Sequence, residues 1–303
     1  MNEQSELGDE VSSEPCVVRA EDGFEVEATT FVPSRAIERR GAVLVAGAMG
    51  VGQGYYRAFA EWLATQGFIV MTFDYRGTGR SRKGPLSHER ADIETWARED
   101  ASAVLRALSQ RSEGLPITWI GHSLGAQIVG MTPGHERVSR VLSVAAGSGY
   151  WRENAEPLRR KVWLFWFGAV PIATPLFGYF PGKRLGMVGD LPKGVIYQWK
   201  KWCMNPEYAV GAEGERMRAQ FAAVRAPITA LSFDDDEMMS EANTRSLHGM
   251  YTSAEVRHVR VCSTEKRGAR IGHFGFFRRE MREALWAPLA LEHIAKREQP
   301  RAA

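Results

Sequence analysis

A chain of 303 residues that is 44% hydrophobic and 25% charged can bury the core of one large domain or of two smaller ones. Its net charge of +3, with Lys and Arg dispersed along the chain, leaves no footprint for nucleic acid and only a weak case for anionic surfaces. Cys16, Cys203 and Cys262 are odd in number, far apart and without metal-ligand spacing, which argues against a disulfide framework and fits a reducing compartment.

Residues 1–15 are acidic and polar and read as a disordered tail, without the basic start and apolar run of a secretory signal; a cytoplasmic, bacterial-type enzyme is expected. Cys16 to Ala20 and Phe24 to Val32 read as two strands around a turn at Glu21-Asp22-Gly23. Ala42 to Ala46 is a fully apolar strand, followed by a Gly-rich loop and a helix whose Tyr56, Phe59 and Leu63 form one buried face. Phe68 to Phe73 is a further buried strand ending in the polar turn DYRGTGRS, in which Asp74 and Arg76 are expected to brace the chain around Ser81. Ala91 to Gln110 is a long amphipathic helix with Ile93, Ala97, Ala101, Val104 and Leu108 along its stripe. Later strands are expected at Pro116 to Gly121, Val138 to Ala145, Ile228 to Phe233 and Glu255 to Cys262. Buried strands alternating with helices demand an α/β fold, a mostly parallel sheet covered on both faces.

Residues 147–214 interrupt that rhythm, dividing a core of residues 16–146 and 215–297. The insertion holds Trp151, Trp163, Trp166, Trp199 and Trp202, and its run Val162 to Phe180 is nearly long enough to cross a bilayer. Pro171, Pro175 and like charges at both ends, Arg159-Arg160-Lys161 and Lys183-Arg184, argue against spanning. A helical lid over an apolar pocket, able to make peripheral contact with a membrane, explains the same residues.

The chemistry centres on Gly121-His122-Ser123-Leu124-Gly125, which has the form G-x-S-x-G between a strand and a helix-like continuation. Such a turn holds a serine hydroxyl clear of the sheet above a helix N-terminus, making Ser123 the candidate nucleophile. A serine needs a base within reach and a third group that fixes the base's tautomer. Of seven histidines, only His273 stands on a loop after the final strand, between glycines and apolar residues. The acid should follow the strand Ile228 to Phe233, where Asp234, Asp235 and Asp236 are adjacent; spacing to the next helix favours Asp236, with Asp235 the alternative. Asp234 or Asp235 otherwise reads as a solvated loop or helix cap. Oxyanion donors are expected from the backbone N–H of Leu124 and from Ala48, with Met49 the alternative to Ala48, each worth roughly 2.7 to 4 kcal/mol of barrier. Met49, Tyr56, His122, Trp151, Trp166, Met238 and Phe274 are the candidate substrate contacts.

With GHSLG, the three-Asp loop, GHFGFF and FDYRGTGRS in place, the chain resembles the α/β-hydrolase superfamily from about residue 16 to 297. More narrowly, AGAMGVGQGYY, the aromatic insertion and RIGHFGFFR look like bacterial predicted hydrolases of the serine aminopeptidase S33 and monoglyceride-lipase-like branch. The resemblance implies an eight-stranded sheet whose second strand is antiparallel, a lid after the sixth strand, and a Ser123, Asp236, His273 triad. The expected function is a serine hydrolase acting on a small ester or thioester with an apolar part, with no metal or organic cofactor. An acyltransferase using the same triad and a non-catalytic ligand-binding scaffold are the alternatives. A nicotinamide enzyme is the remote one, since Gly47, Gly50, Gly52 and Gly54 precede Asp74 in near-fingerprint spacing. Substrate identity and oligomeric state are left open.

Overall fold

A computed structural model describes residues 11–187, 189–265 and 270–295. Eight strands form one sheet in the order β1-β2-β4-β3-β5-β6-β7-β8: β1 Val11–Arg19, β2 Glu25–Pro33, β3 Gly41–Ala46, β4 Phe68–Phe73, β5 Ile117–His122, β6 Val138–Val144, β7 Ile228–Phe233 and β8 Val256–Val261. β2 runs antiparallel to both neighbours, β1 and β4, and the pairs from β4 to β8 are parallel. Every residue of β3, β4 and β5 is buried, as their unbroken apolar sequences require of strands covered on both faces.

One boundary is corrected. Residues 11–15, expected in the disordered tail, are the first half of β1, with Val11 opposite Pro33; residues 1–10 lie outside the described residues. β1 is an edge strand with mostly exposed side chains, so main-chain pairing with β2 forms it without an apolar pattern, and an edge tolerates Pro15. The core segment 16–297 is described only to residue 295.

Between β4 and β5, residues 93–111 form one helix, opened by a reciprocal cap in which Asp92 accepts the Thr95 N–H at 2.8 Å. Its buried stripe of Ile93, Trp96, Ala97, Ala101, Val104 and Leu108 packs on the sheet. The polar turn after β4 is closed from inside. Asp74 accepts N–H groups of Gln53 (2.7 Å) and Arg80 (2.9 Å), Arg76 is held between Asp100 and Asp22, and Ser81 Oγ accepts the Glu27 N–H at 2.8 Å. Asp74, the residue a dinucleotide fingerprint would aim at a ribose, is thus committed to the protein's own donors.

Residues 147–214 leave the sheet between β6 and β7. They carry a helix over 162–177 and the helices Lys193–Cys203 and Tyr208–Glu213. Trp166, Val170, Phe180, Leu191, Val195, Ile196 and Trp202 belong to the same apolar core as one face of the sheet. Gln198 of this insertion accepts the N–H groups of Ile93 (2.8 Å) and Glu94 (3.2 Å), tying it to the start of the 93–111 helix. Among the described residues, no helix is long and apolar enough to cross a membrane.

Candidate active site

The turn after β5 has the strain that G-x-S-x-G predicts. Ser123 sits at φ 52°, ψ −114°, a conformation unfavourable for any residue with a Cβ, and its N–H donates to Val144 O at 2.9 Å. Both flanking glycines are required by contact: a Cβ on Gly121 would lie 2.4 Å from Ala126 N, and one on Gly125 2.0 Å from Ala46 O. Trp119 Nε1 closes the turn by donating to Gly125 O at 2.8 Å. Ser123 is half-buried, and its hydroxyl takes no hydrogen-bond partner among the described residues.

The loops after β7 and β8 bring an acid to a histidine. His273 Nδ1 lies 2.9 Å from Asp236 Oδ2 and 3.2 Å from Oδ1, with both side chains 2% exposed. Asp236 Oδ1 also accepts the N–H groups of Met238 (2.8 Å) and Met239 (2.9 Å), which fixes the carboxylate. An acceptor at Nδ1 places the ring proton there and leaves Nε2 with a lone pair.

The neighbouring acids hold the histidine loop rather than the imidazole. Asp235 accepts Ile271 N–H (2.8 Å) and Gly272 N–H (2.9 Å), Glu237 accepts His273 N–H (3.1 Å), and Asp234 accepts Ser263 N–H (2.8 Å). Asp235 is therefore neither the triad-type acid nor a solvated loop residue. Tyr55 donates its hydroxyl to Phe274 O, a further tether. Sequence reasoning passed over Glu237 and Tyr55; the run of four acids straight after a strand was the available signal.

A second chain of bonds runs behind Ser123. Ala48 N–H donates to Tyr56 Oη at 2.8 Å, Tyr56 Oη lies 2.9 Å from His122 Nδ1, and His122 Nε2 lies 3.0 Å from His273 O. Only one proton arrangement satisfies all of them: Tyr56 O–H donates to Nδ1, and Nε2–H donates to the carbonyl. Burial, aided by the nearby His273, pushes His122 down to about 3, so the ring stays neutral as that arrangement needs. Tyr56→Phe strands the Ala48 N–H and His122 Nδ1 in a dry interior, at about 1–3 kcal/mol each. Urea unfolding should show a loss of about 2–6 kcal/mol, and an unchanged midpoint would break the chain at Tyr56.

The chain matches the family described as serine aminopeptidase, S33, over residues 37–170, a stretch that contains Ser123 and stops before Asp236 and His273. No curated protein matches it in sequence. Among solved structures, it is similar to a highly thermostable carboxyl esterase from Bacillus coagulans, with 14% identity, 83% of this chain and 90% of that one covered, and a TM-score of 0.57. It is also similar to an N-acyl homoserine lactone degrading enzyme (18% identity, 89% and 97% covered, TM-score 0.55) and to a bacterial membrane phospholipase A (15% identity, 96% and 89% covered, TM-score 0.56). The chain has the α/β-hydrolase fold.

Within the α/β-hydrolase fold the two expected oxyanion donors differ in what their N–H groups meet. The Ala48 N–H, the expected donor, is taken up by Tyr56 Oη at 2.8 Å. Met49 follows in the turn closed by Val51 N–H on Ala48 O (3.2 Å), and neither its N–H nor that of Leu124 takes an acceptor among the described residues. Tyr56 and His122, expected against substrate, are 1% and 0% exposed and belong to the scaffold behind the elbow. Burial was legible in the Tyr56 periodicity; its hydroxyl's partners were not.

Trp166, Met238 and Phe274 do line one cavity of about 690 Å³ between the 147–214 insertion and the loops carrying Asp236 and His273. Leu158, Val162 and Phe165 complete its apolar wall. Met49 and Trp151 are not among its lining residues; Trp151 is half-buried with the Arg152 guanidinium 5.1 Å from its ring. Ser123, Asp236 and His273 are not themselves in that cavity's wall, which reaches them through their chain neighbours Glu237, Met238 and Phe274. A second cavity of about 740 Å³, walled by Tyr55, Arg57, Glu61 and Arg278, contains none of the three either. Among the described residues, no group of His, Cys, Asp and Glu is arranged to hold a metal ion.

Proposed function

We propose that this chain is a serine hydrolase that cleaves a carboxylic ester or thioester with an apolar acyl or alcohol part through an acyl-enzyme. The observation that carries the reading is the buried Asp236–His273 pair, whose free Nε2 belongs to a loop anchored by His122 directly beside the strained Ser123. Ser123 Oγ attacks the carbonyl carbon while Nε2 of His273 takes its proton. Asp236 keeps the ring in the right tautomer and stabilises the imidazolium. Negative charge developing on the carbonyl oxygen is met by the Leu124 and Met49 N–H groups. Collapse of the tetrahedral intermediate expels the alcohol or thiol, protonated by His273, and water activated by the same ring then releases the acid. The open Ser123 hydroxyl suits a site whose nucleophile–base bond tightens when substrate arrives. The apolar cavity and the similarity to esterases and a phospholipase A support an ester with a greasy part.

Reaction with a fluorophosphonate probe, read by intact mass, tests this. Wild type should gain one adduct, Ser123→Ala none, and His273→Ala should label at least a hundredfold more slowly. A folded wild type that does not label overturns the reading.

A further inference from the structure

The insertion exposes an apolar surface whose composition and surroundings select one partner. On the 162–177 helix, Val162, Trp166, Val170 and Ala173 face the core, while Trp163, Leu164, Phe167, Ile172 and Leu176 stand 49%, 53%, 59%, 71% and 76% exposed. Leu185 and Met187, on the following loop, add 43% and 47%. Among the described residues, the only large hydrophobics exposed this far outside that stretch is Val17. Such a face is too dense in apolar side chains to be the ordinary scatter of a water-facing helix.

A basic collar surrounds it. Lys161, Lys183 and Arg184 are exposed at its ends, and Arg159 and Arg160 share a single acid, Glu156. The Lys200 ammonium lies 5.3 Å from the Phe167 ring centroid and the Arg184 guanidinium 5.2 Å from that of Phe177, so both cations crown aromatic rings of the same element. Aromatic and aliphatic side chains below a rim of long cationic ones is the arrangement that seats a helix in the headgroup region of an anionic bilayer. A second copy of the chain would set one collar against another of the same sign. No described helix is long and apolar enough to cross a bilayer, so a bilayer contact through this element would run along the surface.

The face also opens inward. Lys161, Leu164 and Met187 belong both to this surface and to the wall of the 690 Å³ cavity. We propose that residues 159–187 dock on an anionic lipid surface and that the cavity takes its substrate, a membrane-resident acyl ester, from that surface. The substrate half of this proposal rests on the hydrolase reading; the docking half does not.

Flotation of the full chain with vesicles of phosphatidylcholine alone, or of phosphatidylcholine with 30% phosphatidylglycerol, separates the two. Wild type should float with the anionic vesicles and shift its tryptophan emission to the blue as Trp163 leaves water. The double variant Ile172→Asp/Leu176→Asp, altered outside the cavity wall, should lose at least tenfold in binding while hydrolysing a short soluble ester at the wild-type rate. Lys183→Glu/Arg184→Glu should lose the anionic preference. Failure to bind either vesicle, equal binding to both, or wild-type dimers that the Asp variants make monomeric would each overturn the docking proposal. Vesicle binding without hydrolysis of any ester would leave docking standing and overturn the substrate half together with the hydrolase reading.

Discussion

Asp236→Asn should lower kcat by about 10⁴-fold with the protein still folded, because the substitution reverses the proton on His273. Oδ1 of Asp236 is occupied by the N–H groups of Met238 and Met239, so an asparagine keeps its carbonyl oxygen there and turns its NH₂ toward His273 Nδ1. Nδ1 must then accept, the ring proton moves to Nε2, and the nitrogen proposed to act as base can no longer take a proton from Ser123. Asp235→Asn is the control. It removes one acceptor from a carboxylate that holds two N–H groups of the His273 loop, at about 1–3 kcal/mol of stability, and should lower kcat by about tenfold through looser placement of the ring. Steady-state kinetics on a chromogenic ester distinguishes them, and equal losses for the two variants would remove Asp236 from its assigned role.

Gly125→Ala should be the most destabilising Gly→Ala change among the described residues. The added carbon would fall 2.0 Å from Ala46 O and 2.5 Å from Ala46 C, both backbone atoms of a strand buried at the middle of the sheet. No flexible side chain can yield. Either β3 must move within its ladder to β4 and β5, or the elbow must lift away with Ser123 on it. A loss of more than about 4 kcal/mol is expected, enough to leave little folded protein. Gly54→Ala, where a Cβ meets nothing within 4 Å, should stay within about 0.5 kcal/mol of wild type. Thermal melts of the two side by side test the contact, and near-equal midpoints would contradict it.

Much of this protein is written locally. Runs such as AVLVA and FIVMTF became buried parallel strands within a residue of the expected ends, because an unbroken apolar run bounded by polar turns has few other stable fates. The elbow was legible for the same reason: a glycine at each side of Ser123 records contacts with Ala126 and Ala46 that tolerate no side chain. His273 could be singled out from where it stands after the last strand. β1 was only half legible, since an edge strand held by main-chain bonds needs no apolar pattern.

Tertiary structure decided which polar atom meets which. Three adjacent aspartates are chemically alike in sequence, and only the approach of the 270–277 loop gives Asp236 the imidazole and Asp235 the amides behind it. Sequence favours Ala48 over Met49 as a donor, and only the packed structure shows the Ala48 N–H taken up by Tyr56. The bonds of the chain Ala48–Tyr56–His122–His273 join residues 8, 66 and 151 positions apart, separations at which hydrophobic periodicity carries no information. Composition and pattern determine which segments are buried and where the turns fall; hydrogen bonds are short and directional, so their pairing is settled only when the packed sheet brings distant loops to within 3 Å.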